Sequence, residues 1–295
     1  MRLCPVTDMP SLTQTAHAIK DRYAVIGHPV SHSLSPQIHS AFADQTQQCL
    51  SYEAILAPLD GFHTAVMKFI AAGGKGMNVT VPFKTEAFAL ADTLSLRAES
   101  AGAVNTLVFK EDGIFGDNTD GVGLVQDLTI HQQQPVAAQR ILLLGAGGAA
   151  QGVILPLLQQ KPAQLILTNR TFNKAQALVQ QFIGYDTQNC LQAVPWSELA
   201  SYRFDVVINA TSASLKAQSL DLSPAIYTPD ALAYDMVYHR HLTTFLHSAQ
   251  AAGIKRLADG LGMLVEQAAE SFMIWRSIRP QTAHILAELN HLRGR

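Results

Sequence analysis

From Tyr23 onward, short apolar runs alternate with segments whose apolar residues return every three or four positions, the pattern of strand followed by helix. "RYAVIGHPV" is an apolar run ending in Gly-His-Pro, and "SHSLSPQIHSAFADQ" moves from a Ser/Pro-rich start into helical spacing. "SYEAILAPL" predicts a second strand and "FHTAVMKFIAAGG" a helix closed by two glycines. In "GMNVTVPFK", residues 76–84, Val79 and Val81 alternate with Asn78 and Thr80. One face is therefore apolar and the other carries an amide and a hydroxyl; Pro82 stops the strand and Lys84 follows. "TEAFALADTL" sets Ala87, Leu90, Ala91 and Leu94 on one helical face, and "VNTLVFKEDGIFGDN" reads as a hairpin turning at Asp112-Gly113. The alternation predicts an α/β protein with a mostly parallel sheet covered by helices.

The pattern breaks at "DNTDGVGLVQDLTIHQQQPVAAQR", where a glycine-bearing helix start runs into polar, glutamine-rich sequence. A domain boundary is expected here. Strand–helix units resume with "ILLLGAGGAAQGVILPLL" and continue through "QLILTNR", "FDVVINAT" and "ALAYDMVY" to "GIKRLADGLGML". The remaining sequence reads as helices, two of them separated by Pro280. A chain of 295 residues has ample material for two cores.

No apolar run is long enough for a membrane span. A formal net charge of −2, with no basic stripe and no base-stacking motif, argues against nucleic acid and against an anionic membrane surface. Cys4, Cys49 and Cys190 are scattered without a CxxC pair, which speaks against a disulfide scaffold or structural zinc and fits a reducing cytoplasm. His28 and His32 stand four apart, but Pro29 between them argues against a helical metal site; both are expected to be ordinary surface or core histidines, and no metal is expected. The opening "MRLCPVTDMPSLTQTAHAIK" lacks a continuous apolar core and is read as a poorly ordered N-terminal extension, not a secretory signal.

"ILLLGAGGAAQG" is an apolar strand, then Gly145-Ala146-Gly147-Gly148-Ala149-Ala150, then a helix. The first glycine permits a tight turn, the second lets a pyrophosphate approach the backbone, and a small third residue lets helix and strand pack closely. The helix N-terminus then offers N–H donors and positive dipole to phosphates. Where NAD-binding chains usually place an acid for the ribose 2′-hydroxyl, the next strand ends in Asn169, Arg170 and Thr171, with Lys174 one turn on. A guanidinium there can bind a 2′-phosphate in bidentate fashion, which favours NADP.

Three polar clusters lie at strand ends in the first half. Ser33 and Ser35 precede a helix starting near Pro36, where hydroxyls and free N–H groups suit a carboxylate as well as ordinary capping. Lys84 falls near the first turn of its helix, the wrong end of the macrodipole for a cation. Asn105 in "AVNT" and Asp120 in "GDNTDG" sit at the edge of the boundary, in sequence that forms turns by default.

In order along the chain, "GHPVSHSLSPQIH", "GMNVTVPFK", "GAVNTL", "GDNTDGVG", "LLLGAGGAAQGV", "TNRT", "INATS", "YDMVY" and "ADGLGMLVEQAA" resemble the shikimate dehydrogenase family from about Tyr23 to the C-terminus. The resemblance implies NADP-dependent interconversion of 3-dehydroshikimate and shikimate in aromatic amino acid biosynthesis. It implies two α/β domains with the substrate between them: residues 23–120 for substrate, with helices of 264–295 packing back, and a Rossmann-type NADP domain over 121–263, after an extension over 1–22. By matching position it implies Lys84 and Asp120 as the catalytic pair. Ser33 and Ser35 would hold the carboxylate, and Asn78, Thr80, Asn105, Tyr238 and Gln267 the rest of the substrate. Gly145 through Ala149 would hold the pyrophosphate, Asn169, Arg170, Thr171 and Lys174 the 2′-phosphate, and Met236 and Gly260 would line the nicotinamide.

Three departures from the family pattern stand out. "ASLKAQSL" after "INATS" lacks a common glycine, "AAQG" replaces a stretch that can carry a polar or basic contact, and the extension before Tyr23 has no counterpart. A broader quinate/shikimate dehydrogenase and a non-catalytic NADP-binding sensor are the rival readings. Arg170 argues against an NAD-using form of the first, and the intact Lys84, Asp120, Ser33, Ser35 and Gln267 argue against the second. The active unit is expected to be a monomer or homodimer.

Overall fold

The apolar runs become strands of two separate six-stranded sheets. The computed structural model describes residues 20–216 and 218–294, so the expected extension lies outside the described residues as far as residue 19. The first lobe comprises β1 (Asp21–Gly27), α1 (Ser35–Thr46), β2 (Leu50–Leu56), α2 (Phe62–Ala71), β3 (Gly74–Val79) and α3 (Lys84–Leu90). It continues through β4 (Thr93–Leu94), α4 (Leu96–Ala101), β5 (Thr106–Lys110) and β6 (Gly113–Asp117). Helix α5 (Asp120–Gln126) and a π-helical turn (Asp127–His131) lead to the second lobe. That lobe comprises β7 (Arg140–Leu144), α6 (Gly148–Gln159), β8 (Gln164–Thr168), α7 (Phe172–Phe182), β9 (Leu191–Ala193) and β10 (Phe204–Asn209). Strand β11 (Tyr227–Asp235), α8 (Thr244–Ala251) and β12 (Arg256–Asp259) complete its sheet, and α9 (Leu261–Arg276) and α10 (Ala283–Leu292) end the chain.

The second sheet is parallel throughout, in the order β12-β11-β10-β7-β8-β9. The connections reverse direction between β7 and β10, the switch point at which such sheets open a crevice. Along β7, Ile141 and Leu143 enter one core with α6 and α7, while Leu142 and Leu144 enter another with Phe245 and Leu246 of α8. Burial on both faces explains why this strand is apolar without alternation.

The first sheet has the order β2-β1-β3-β5-β6-β4 and is mixed: β5 runs antiparallel to both β3 and β6, and the other pairs are parallel. Its two cores again follow strand alternation. Ala24 and Ile26 pack with Phe62, Val66 and Phe83, whereas Tyr23 packs with Ile38 and Phe42 of α1 and with Val265, Phe272, Ile285 and Leu289 of α9 and α10. Each fully buried Leu, Ile or Phe in these clusters contributes roughly 1.5–3 kcal/mol over an exposed one. Helix α9 thus starts beside the second sheet and ends in the core of the first.

Several local expectations shift. Strand β1 begins at Asp21, inside the expected extension, because Asp21 and Arg22 already pair with Leu50 and Ser51. The helix expected over "TEAFALADTL" stops at Leu90: Ala91 is extended, the Asp92 carboxylate accepts from Ile114 N–H at 2.7 Å, and Thr93 and Leu94 pair with β6. The hairpin turns one residue early, at Glu111-Asp112, since Lys110 pairs with Gly113, whose φ of 136° takes the left-handed position. The strand of the "GMNVTVPFK" segment ends at Val79, so Thr80 lies just beyond it.

A chain of ion pairs wraps α9. Arg97 bridges Asp117 and Glu270, Arg279 bridges Glu270 and Glu266, and His131 Nε2 donates to Glu266 Oε1 at 2.8 Å. Burial pushes Glu266 up, but hydrogen bonds from His131 and Thr282 and the Arg279 charge outweigh it and leave its pKa below the ordinary 4.5. The Glu266 hydrogen bond raises His131 above its ordinary 6.5, against a smaller opposing effect of burial. A raised folded-state value means the His131 contribution is full below about 6.5 and is lost as pH climbs through that raised value. The Glu266 contribution is full above 4.5 and is lost as pH falls through its lowered value. Replacing His131 by Asn should therefore lower the melting temperature most at about pH 6, with the gap to the native chain narrowing as pH rises. A gap that is constant from mildly acidic to alkaline pH in calorimetric melts would refute this.

Candidate active site

Strand direction brings the polar clusters together. Because β5 is antiparallel to its neighbours, it begins at the edge of the sheet where β3 and β6 end. Asn105 stands just before β5, Lys84 follows β3, and Asp120 follows β6. Two backbone bonds tie the three ends: Val79 N–H donates to Asn105 O at 2.8 Å and Asn105 N–H to Asp117 O at 3.0 Å. The Lys84 ammonium donates directly to Asp120 Oδ2, while Asp120 Oδ1 accepts from the Asn105 amide at 2.8 Å. The lysine and aspartate side chains keep 29% and 19% of their exposure, so both remain open to a ligand.

Beneath them lies a web of neutral polar groups. Tyr52 donates to Asn78 Oδ1 at 2.7 Å, and the Asn78 amide donates to Asn105 O, Thr106 Oγ1 and Ser271 Oγ at 3.0–3.2 Å. Asn105 accepts from Thr119 N–H at 2.9 Å and donates to Gln267 Oε1 at 3.3 Å. Such groups are buried only because they satisfy one another. The web ties β2, β3 and β5 to α9. His39 lies in the same core, its ring stacked 4.2 Å from that of Tyr52, and burial holds it neutral with a pKa near 3.

These residues line a cavity of about 380 Å³. From the first lobe come Ser33, Ser35, Asn78, Thr80, Lys84, Asn105 and Asp120; Met236, Tyr238 and Gly260 come from the loops beyond β11 and β12, and Gln267 from α9. All the residues expected to touch substrate or nicotinamide are thus gathered in one space. Ser33 Oγ accepts from Ser35 N–H at 3.2 Å at the start of α1, which has no side-chain cap and no acid in its first turn. A Cβ at Gly27 would stand 2.4 Å from the Thr80 methyl, so glycine is what lets Thr80 close in there. A Cβ at Gly260 would stand 2.1 Å from Met236 O, so these two residues touch backbone to backbone. Arg293 near the end of α10 donates to Asp259 Oδ2 and to His239 O, pinning the loop that carries Tyr238.

The glycine loop and "TNRT" lie apart from this cavity, at the ends of β7 and β8. Gly145 has φ 112°, and the positions of a Cβ on Gly147 and Gly148 are open, with no heavy atom within 4 Å. Helix α6 starts there without a side-chain cap or an acid in its first turn. Uncapped N–H groups beside an open glycine backbone fit a pyrophosphate. Asn169 bonds Thr171 O at 2.9 Å, and Arg170 and Lys174 are exposed beside it, the donor set a 2′-phosphate needs. The atypical segment after "INATS" forms a short 3₁₀ turn at Ser214–Lys216, where Ser214 donates to Asp235 Oδ2 at 2.6 Å. Burial pushes the Asp235 carboxyl up, and hydrogen bonds from Ser214, Thr243, Val237 and Asn209 oppose that. Gln151 of "AAQG" turns toward the first lobe and donates to Ser100 O at 3.4 Å. His32, expected from sequence to be an ordinary surface or core histidine, also lines the cavity; the one signal for that was adjacency to Ser33. Among the described residues no group of three or more His, Cys, Asp or Glu is placed to hold a metal ion, and no helix is long and apolar enough to cross a membrane.

The profile of the shikimate dehydrogenase substrate binding domain matches residues 25–107, that of shikimate/quinate 5-dehydrogenase matches 127–219, and that of the shikimate 5′-dehydrogenase C-terminal domain matches 260–289. The chain is 59% identical over 269 residues to shikimate dehydrogenase (NADP(+)) of Aromatoleum aromaticum, covering 91% of this chain and 96% of that one. It is 58% identical over 271 residues to the enzyme of the same name from Dechloromonas aromatica, covering 92% and 98%. Among solved structures, an Ael1 enzyme from Pseudomonas putida aligns with TM-score 0.87 at 45% identity, covering 92% and 98%. Shikimate 5-dehydrogenase from Thermus thermophilus, in complex with NADP(H) and shikimate, aligns with TM-score 0.80 at 33% identity, covering 92% and 99%.

Proposed function

The chain belongs to the shikimate dehydrogenase family, and from that membership we propose that it interconverts 3-dehydroshikimate and shikimate with NADP(H), with Lys84 and Asp120 as its catalytic pair. The observation that carries this reading is the direct Lys84–Asp120 contact on the wall of a cavity that Met236 and Gly260 also line. The second lobe's residues fit NADP: Gly145, Ala146, Gly147, Gly148 and Ala149 for the pyrophosphate, and Asn169, Arg170, Thr171 and Lys174 for the 2′-phosphate. When bound, the cofactor supplies or accepts the hydride.

The protein's own groups do the rest. Ser33 and Ser35, at the uncapped start of α1, hold the substrate carboxylate. Thr80, Asn105, Tyr238 and Gln267 surround the ring and its hydroxyls, while Asn78, already bonded on several sides, chiefly fixes Asn105. In the reducing direction negative charge grows on the substrate's keto oxygen. The Lys84 ammonium stabilises that charge and donates a proton to the oxygen; in the oxidising direction the amine takes the proton back. Asp120 keeps the ammonium aimed and accepts from a neighbouring hydroxyl. The active unit is a monomer or homodimer, and the scattered cysteines support a cytoplasmic setting.

Spectrophotometric oxidation of shikimate and of quinate, each with NADP and with NAD, tests the proposal. Turnover should be fastest with shikimate and NADP, and absence of turnover with that pair would overturn it. Lys84→Ala should lower kcat by about 10²–10⁴-fold with little change in KM for shikimate; near-normal turnover would reduce the lysine to a contact. Arg170→Ala should raise KM for NADPH far more than for NADH, and an equal rise for both would remove Arg170 from the 2′-phosphate site.

A further inference from the structure

On the shikimate reading the cavity takes an anion, and yet it offers little free positive charge. Among its lining side chains only Lys84 and His32 can carry a cation, and the Lys84 ammonium is engaged by Asp120. That aspartate adds a negative charge to the same space. The carboxylate end of the substrate, at Ser33 and Ser35, therefore depends on hydroxyls and the start of α1 unless another group contributes.

We infer that His32 is that group: its imidazole donates a hydrogen bond to the substrate carboxylate alongside Ser33 and Ser35. The inference rests on the shikimate reading of the cavity. Position supports it, since His32 belongs to the tight turn in which Ser33 N–H donates to Val30 O at 3.1 Å, and Pro29, Val30, His32, Ser33 and Ser35 all line the cavity. The ring is also uncommitted. It is exposed and makes no hydrogen bond or ion pair among the described residues. His28, by contrast, is tied to Ala57 O at 2.8 Å, and His39 is sealed among aromatic rings. An imidazole with no structural partner, on a turn that faces a carboxylate subsite, has a ring N–H to give to the ligand, and a charge-assisted bond of this kind is stronger than a neutral one. Because the ring is exposed, the lower end of the range for such bonds applies.

The test compares the native chain with His32→Ala and His32→Asn, using KM for shikimate and the inhibition constant of shikimate methyl ester, whose carboxylate is masked. His32→Ala should raise KM for shikimate about tenfold, with the loss carried by KM and not kcat. His32→Asn, which keeps a donor, should recover part of it, and the ester constant should move less than about twofold. An unchanged KM in His32→Ala, or an equal loss for acid and ester, overturns the inference. A native chain that does not oxidise shikimate with NADP overturns the parent reading and this inference together. A native chain that does, beside an unaffected His32→Ala, overturns this inference alone.

Discussion

An ammonium at the first residue of a helix stands where the aligned peptide dipoles oppose its charge. Lys84 is held there by the carboxylate of Asp120, which opens α5, the helix end where a negative charge is welcome. The pair is thus an agreement between two helix starts, one unfavourable and one favourable. It exists only because β3 and β6 finish at the same edge of the first sheet. The antiparallel course of β5 between them is what makes those ends coincide, and it places Asn105 in the gap as the shared brace. The mixed character of the first sheet is therefore a condition of this pairing.

The two lobes were not equally readable from sequence. In the second, β7, β8 and β10 are buried on both faces, and α6 and α7 follow β7 and β8 promptly, so runs such as "ILLL" and the glycine loop state the architecture almost directly. In the first, a two-residue strand like β4 carries no pattern of its own. The apolar face of "TEAFALADTL" survives, but its second half serves a strand, because the Asp92 carboxylate pairs with Ile114 N–H and no helical turn forms. Spacing alone could not distinguish those outcomes.

At the site, the groups that motif and resemblance singled out converge, whereas the groups that hold them went unread. Tyr52, Thr106 and Ser271 are ordinary residues in unremarkable sequence, and Asn78 finds Ser271 across 193 positions of chain. Nothing local announces a bond of that range. His32 was read as an ordinary histidine for the opposite reason: an exposed histidine in a turn is usually only that, and its place on the cavity wall shows only in the fold.

Helix α9 crosses α5 closely enough that a Cβ on Gly123 would lie 2.7 Å from that of Gln267. Met263 in its first turn enters the second lobe's core, while Leu261, Val265, Ala269 and Phe272 enter the first lobe's. The helix therefore joins both cores as a shaft joins two hubs, with Gln267 seated where it meets α5. A side chain added at Gly123 would press on Gln267, which lines the cavity, so the closeness of this crossing sets the width of the pocket at that wall.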